Sequence, residues 1–189
     1  MANTAIGVTN YLTEPGFLYW APLGSTTPAN TVLASKYTDT WPAAWVPLGG
    51  TDTGTEFSWV VTTSKIEIAE SYLPIAYRTT NQEGHFGFAL AGVTAGNLTK
   101  AFNGAINTVT GTGPTLSTQL NPVTPGNEVR AMIGWESMDS TTRIVAFQVF
   151  NSGDVKLDAR RAPQKMTIPW MAMFEQPTSG IPWRIDTTR

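Results

Sequence analysis

Apolar and polar residues alternate along much of the chain with a period of two, which is typical of half-buried β-strands. The longest such row runs from Met166 to Phe174 and presents Ile168, Trp170 and Ala172 on one side. Shorter rows with the same period are Phe57–Val61, Phe86–Leu90, Val129–Trp135, Val145–Val149 and Trp183–Ile185. The pattern therefore predicts a mainly β protein with many strands.

One segment departs from this alternation and predicts a short helix. Thr94 stands at a plausible N-cap, and Gly104 stands where a helix commonly ends. Leu98, Ala101 and Phe102 fall on one helical face. A helix of about ten residues is marginal in isolation, so we expect it to lie on the sheet through Leu98 and Phe102.

Turn-forming residues divide the strands. Asn151–Asp154 predicts a four-residue hairpin loop between Ile144–Phe150 and Val155–Arg161. Two stretches without clear periodicity, Gly24–Thr40 and Leu73–Glu83, are expected to be long loops. No linker or repeat divides the chain, so we expect one domain over residues 1–189.

Composition excludes several classes of site. The chain has no cysteine, which excludes disulfides, thiol catalysis and thiolate metal ligands. Its single histidine, His85, excludes a histidine-cluster metal site. Charged residues are 14% of the chain and the formal net charge is −2, which argues against strong binding to nucleic acid, because that binding depends on Lys and Arg. No apolar run approaches the length of a membrane span, and the first ten residues lack the pattern of a secretory signal.

Motifs for catalysis are weak. His85 could act as a general base, but no Gly-x-Ser-x-Gly nucleophile motif accompanies it, and a position on the sheet surface suits it better. Glu67 and Glu70 have an odd spacing, which places them on opposite faces of a strand. The glycine-rich stretch Gly49–Gly54 lacks the lysine of a phosphate-binding loop. We therefore expect no enzymatic activity, no cofactor and no metal ion.

Two tryptophans in the motif W-P-A-A-W, Trp41 and Trp45, suit either of two functions. In an exposed loop they could stack on a sugar, as in a carbohydrate-binding module or a small glycosidase. Alternatively, they anchor the loop against its own sheet or against a neighbouring subunit. The densest basic cluster, Lys156–Lys165, also contains Asp158. We interpret it as a row of polar side chains on one face of a strand, in solvent or between subunits, in preference to a nucleic-acid binding patch.

Several stretches, taken in order, resemble the major tail protein, or tail tube protein, of phages with long non-contractile tails, in particular phages of actinobacteria. They are W-V-P-L-G-G-T at Trp45–Thr51, I-E-I-A-E-S-Y-L-P-I at Ile66–Ile75, F-G-F-A-L-A-G-V-T-A-G-N-L-T-K-A-F at Phe86–Phe102, I-P-W-M-A-M-F at Ile168–Phe174, and I-P-W-R-I at Ile181–Ile185. The resemblance covers nearly the whole chain.

The resemblance implies a β-sandwich or partly closed barrel with one flanking short α-helix. It also implies that six copies form a ring and that rings stack around a tape-measure protein into a tube capped by a tail terminator. Inner sheets of the six subunits would join into a barrel through which DNA passes without being bound. The protein would then belong to the virion tail, after synthesis in the host bacterial cytoplasm.

The resemblance also suggests roles for particular residues. We expect Thr55–Ser71 to supply inner-sheet strands, with Lys65 and Glu67 facing the lumen. The loops Gly24–Thr40 and Trp41–Gly54 are expected to bridge subunits, with Trp41, Trp45 and Asp52 as contact residues. The N-terminal arm 1–14 and the C-terminal arm 177–189 are expected to be flexible and to order only on assembly. Other virion parts of similar build, such as a tail terminator, a connector or a capsid decoration protein, remain alternatives.

Overall fold

The computed structural model describes residues 15–69, 72–111, 117–155 and 166–188. The fold is mainly β with one short helix, α1 (Ala95–Ala101). The strands are β1 (Gly16–Pro22), β2 (Val32–Leu33), β3 (Lys36–Tyr37), β4 (Val46–Gly49), β5 (Thr51–Ile66), β6 (Ala76–Leu90), β7 (Ile106–Thr110), β8 (Ser117–Asn121), β9 (Ala131–Ser137), β10 (Thr142–Asn151), β11 (Ile168–Phe174) and β12 (Trp183–Thr187).

Eight strands form one antiparallel sheet in the order β4-β1-β9-β10-β11-β6-β5, with β12 beside β10. The sheet branches at β10, because residues 142–146 pair with β12 and residues 149–151 pair with β11. A register shift between Ala146 and Val149 separates the two parts. The remaining strands form two small ribbons, β2-β3 and β7-β8.

The branch lets the sheet fold over itself as two layers. One layer contains β4, β1, β9, β12 and the first half of β10, and the other contains β11, β6 and β5. The main core takes residues from both layers, for example Leu18 and Ile133 from the first and Phe86 and Trp170 from the second. This arrangement agrees with a β-sandwich, and the described strands form no closed barrel.

The first layer is buried on both faces. Because side chains alternate along its strands, each strand contributes residues to both faces. Leu18 of β1 faces the main core, whereas Ala21 joins a second cluster with Met132 and Val145. Trp41 and Trp45, from the segment between β3 and β4, cover this second cluster.

The helix is confirmed, and its N-terminus follows the predicted chemistry. The Thr94 side chain accepts a hydrogen bond from the backbone N–H of Asn97, which satisfies one free donor of the first turn. At the other end the C-cap is Phe102, so the left-handed residue that directly follows the helix is Asn103 (φ +54°), and Gly104 (φ +94°) comes one position later than predicted. Leu98 packs on the main core as expected. Phe102 does not, because its side chain is 40% exposed.

Two predictions need correction. Residues 76–83 were expected in a loop, but they belong to β6. Residues 183–187 of the C-terminal arm form β12, which pairs with β10 inside the chain's own sheet. Of the predicted hairpin, Ile144–Phe150 belongs to β10, whereas the second strand, Val155–Arg161, lies outside the described residues apart from Val155, so that pairing stays a prediction. The basic cluster 156–165 and the N-terminal arm 1–14 also lie outside the described residues.

Candidate assembly surface

Strands β5 and β6 continue beyond the layered body as a two-stranded ribbon, which consists of residues 60–69 and 72–83. Its register begins with Val60 opposite Glu83 and ends with Ile66 opposite Ala76. Every described side chain in the ribbon is exposed except Pro74, which is half-buried. Both faces of the ribbon therefore meet solvent. Because a lone two-stranded hairpin is only marginally stable in water, a ribbon of this length would gain stability from a partner.

The ribbon also exposes large apolar side chains. In the described residues these are Val60, Val61, Ile66, Ile68, Tyr72, Leu73, Ile75 and Tyr77. Single exposed apolar residues are ordinary on protein surfaces, whereas a group of eight on one projecting element marks an interaction surface.

Both long edges of the ribbon are open within the described part of the chain. β5 is the last strand of the sheet order, so its outer edge has no neighbouring strand. On β6, the partner β11 reaches only His85–Leu90, which leaves residues 76–84 paired with β5 alone. Open edges present unpaired N–H and C=O groups and readily template pairing with another chain.

The opposite edge of the sheet is protected. It is formed by β4, which contains Pro47 opposite Tyr19 of β1. Proline has no N–H to donate and is a common device for blocking an edge strand. β5 has no proline in its 16 residues. The outer edges of β4 and β5 therefore differ, and strand addition is favoured at the β5–β6 ribbon over β4.

The charges of the ribbon nearly balance. Its described residues carry two basic side chains, Lys65 and Arg78, and two acidic ones, Glu67 and Glu83. Glu70, between the two described halves, brings the formal charge of segment 60–83 to −1, which is too small to hold like ribbons apart. An exposed edge, apolar side chains and a nearly balanced charge together suit association between copies of this ribbon.

The loop tryptophans pack against their own chain. The ring of Trp41 stacks on Tyr19 with centroids 4.5 Å apart, and its Nε1–H donates to the Glu136 carboxylate. Trp45 is 5% exposed, and its Nε1 donates to the Thr26 carbonyl oxygen at 2.8 Å. The sequence allowed these rings to stack on a sugar, to contact another subunit or to anchor the loop to its own sheet. Their position in the structure is the last of these.

A buried ion cluster holds the same loop. Arg143 of β10 is 1% exposed, and its Nη1 lies 3.0 Å from Oδ2 of Asp39, while its Nη2 lies 3.1 Å from Oε1 of Glu136. The guanidinium also lies 4.8 Å from the centroid of the Tyr37 ring. The loop is therefore fixed by ionic and aromatic contacts together.

The environment of Asp39 favours its charged form. Burial raises the pKa of the Asp39 carboxyl, but the backbone N–H of Asn30 and the charge of Arg143 outweigh that effect and hold the pKa below its ordinary value. Around Tyr37, burial raises the pKa of the phenol, so the hydroxyl stays neutral beside the cluster.

The structure does not bring the predicted site residues together. Lys65 lies near the tip of the ribbon opposite Tyr77, and Glu67 follows the last residue of β5. Asp52 is exposed at the start of β5, where the register with β6 shifts. Trp41 and Trp45 lie on the outer face of the first layer. Contact of any of these residues with another subunit stays a prediction, and so does a lumen position for Lys65 and Glu67.

Two features were missed from the sequence. The ribbon was missed because residues 76–83 mix polarity and follow Pro74, which suggested a loop. The Arg143 cluster was missed because its carboxylates come from distant parts of the chain. A signal was present, since Arg143 is a lone charged residue that precedes the apolar run Ile144–Phe147.

The sequence matches no protein-family model, and no curated protein matches it significantly. Within the described ranges, no helix is long and apolar enough to cross a membrane, and no three acidic or histidine side chains are grouped to hold a metal ion.

Proposed function

We propose that this protein is a structural subunit that assembles with copies of itself into the tail tube of a phage. The β5–β6 ribbon carries this proposal, since it projects from the body with two open edges and eight exposed apolar side chains. The resemblance to tail tube proteins supplies the kind of assembly, in which six copies form a ring and the rings stack.

Pairing of ribbons gives such a ring a simple geometry. The outer edge of β5 in one copy would pair with the open edge of β6, residues 76–84, in the next. Because β5 and β6 run antiparallel, the joined sheet would alternate in direction throughout, as in an up-and-down barrel. The contact joins two different surfaces, and such head-to-tail contacts close into rings when the rotation allows. Closure removes every open edge of the ribbon.

The finer assignments follow from this proposal. The layered body would be the tail tube fold, and the partners would be the tape-measure protein and the tail terminator. DNA would pass through the tube during ejection without specific binding. The protein would reside in the virion tail and would act as a scaffold, with no reaction to catalyse.

Electron microscopy of concentrated protein tests the proposal. We expect stacked rings with an open centre. The matched variant replaces residues 62–81 with a two-residue Asn-Gly turn between Val61 and Gln82, which removes most of the ribbon. These two residues lie opposite each other in the register, so a two-residue turn fits between them. This variant should fold but form no rings. A wild-type protein that stays monomeric, or a shortened variant that still assembles, would refute the proposal.

The carbohydrate-binding alternative has less support from the structure. A sugar-stacking platform needs an exposed aromatic face. Trp41 already stacks on Tyr19, and Trp45 is buried. A tail terminator, a connector or a capsid decoration protein could also assemble through the ribbon. Electron microscopy distinguishes these alternatives from a tube, because they would form a single ring or a decorated capsid.

A further inference from the structure

Near the body, the two faces of β5 have different surroundings. Phe57 and Trp59 lie on one face and contact Phe174 and Trp183, with ring centroids 5.3–6.3 Å apart. This face therefore looks toward the layered body. Since side chains alternate along a strand, the face that carries Glu56, Ser58 and Val60 looks away from it.

Strand β6 continues the same division. His85 lies opposite Ser58, and Glu83 lies opposite Val60, and residues opposite each other share a face of the sheet. Neither core cluster includes any of the residues that look away from the body. We call the set Glu56, Ser58, Val60, Glu83 and His85 the outward face.

We infer that the outward face lines the bore of the tube. The inference rests on the proposed function, because only a closed ring of ribbons has a bore. A closed sheet has one inner and one outer surface, and the bodies must lie on one of them. Two strands supply roughly 10 Å of circumference for each copy, whereas a chain of this length has a radius of gyration of about 16 Å. The bodies cannot fit inside such a ring, so the outward face must point to the axis.

The chemistry of the outward face suits a passage for a polyanion. Glu83 would repeat in every subunit as a ring of carboxylates. Glu56 and Ser58 would continue the same face toward the body, where β6 also pairs with β11. This part of the face has no Lys or Arg, so phosphate groups would find no fixed counterion. Arg78 lies opposite Ser64, beyond the register shift that follows Thr62.

The inference is confined to residues before the β-bulge. A register shift follows Thr62, and the Thr80 hydroxyl donates to the Thr62 carbonyl oxygen at 3.1 Å. Bulges increase the local twist of a ribbon, so the alternation seen near the body does not carry over simply to the tip. The bore residues inferred here therefore differ from Lys65 and Glu67, which lie beyond the bulge.

Two neighbouring valines give a matched test. Val60 is on the outward face and Val61 on the opposite face, and the two are 56% and 45% exposed. The chain has no cysteine, so Val60→Cys and Val61→Cys each introduce a single thiol. Ala29→Cys, in the exposed loop on the far side of the first layer, serves as an outer reference. Assembled tubes of each variant would be treated with a small maleimide-gold cluster, and the radial position of the gold would be measured by electron microscopy.

We expect gold at the tube axis for Val60→Cys, at the periphery for Ala29→Cys, and away from the axis for Val61→Cys. If Val60→Cys does not assemble, Ser58→Cys replaces it. Gold at the periphery for both outward-face variants, or at the axis for Val61→Cys, would overturn the inference while the tube itself stands. Failure of the wild-type protein to form tubes would instead refute the proposed function, and the inference would fall with it.

Discussion

Nη1 of Arg143 lies 3.0 Å from Oδ2 of Asp39, although 104 positions separate the two residues in the chain. The contact joins β10 at the middle of the sheet to the loop that precedes β4. Glu136 binds the other end of the same guanidinium. This cluster makes the loop part of the body and keeps it apart from the projecting ribbon.

The buried cluster should be sensitive to loss of its cation. In Arg143→Ala, the carboxyl groups of Asp39 and Glu136 lose their counterion in a buried site, and we expect a loss of about 3–5 kcal/mol in the free energy of unfolding. The matched control is Arg130→Ala, because Arg130 pairs with Glu175 at 3.1 Å in a more exposed position. It should lose much less, because an exposed ion pair contributes little to stability. Urea unfolding followed by tryptophan fluorescence measures both, and equal losses would contradict this interpretation.

The stability that Asp39 gives to the loop should depend on pH. Its pKa in the folded protein lies below the ordinary 3.8, so protonation favours the unfolded state. The stabilisation is complete above the unfolded pKa and is lost as the pH falls through the folded value. The difference in unfolding free energy between wild type and Asp39→Asn should be constant above about pH 5 and shrink below about pH 4. A difference that stays constant down to pH 2 would disprove the role of Asp39.

A close approach at Gly134 should fix the position of Trp41. A Cβ placed on Gly134 would overlap the Trp41 ring and would lie 2.9 Å from Cζ3 of Trp45. Gly134→Ala should therefore displace the loop and lower stability by about 2 kcal/mol, as overpacking commonly does. Gly50→Ala is the control, because nothing lies within 4 Å of its Cβ position. Near-UV circular dichroism should change in Gly134→Ala and not in Gly50→Ala, and the reverse pattern would be inconsistent with the structure.

The last strand should stabilise the free subunit. The Trp183 ring contacts Phe57 and Trp59 with centroids 5.3 and 5.6 Å apart, so it links β12 to the opposite layer. Trp183→Ala should lower the unfolding free energy by about 3 kcal/mol. Ile185→Ala, on the same strand but at a more exposed position, should cost clearly less. If both variants unfold like the wild type, residues 183–187 behave as the free arm that the sequence suggested.

Local patterns predicted most of the strands and the helix. The alternation in Phe86–Leu90 and in Ile168–Phe174 is strong because each strand buries one face, and burial selects apolar residues at every second position. Thr94 identified the start of the helix, and Gly104 placed its end within one residue, because capping depends on local backbone requirements. The ribbon lacks this signal, since both of its faces are exposed in the monomer and no burial imposes alternation on residues 76–83.

The sequence by itself determined the β class, the helix and the positions of most body strands, because these depend on side-chain period and on capping within a few residues. Only the tertiary structure decided that Trp41 and Trp45 pack inward, that Arg143 meets Asp39 and Glu136, and that the ribbon projects with open edges. Those features depend on contacts between segments far apart in the chain and on which strand edge is left without a neighbour. Local sequence patterns do not encode such relations.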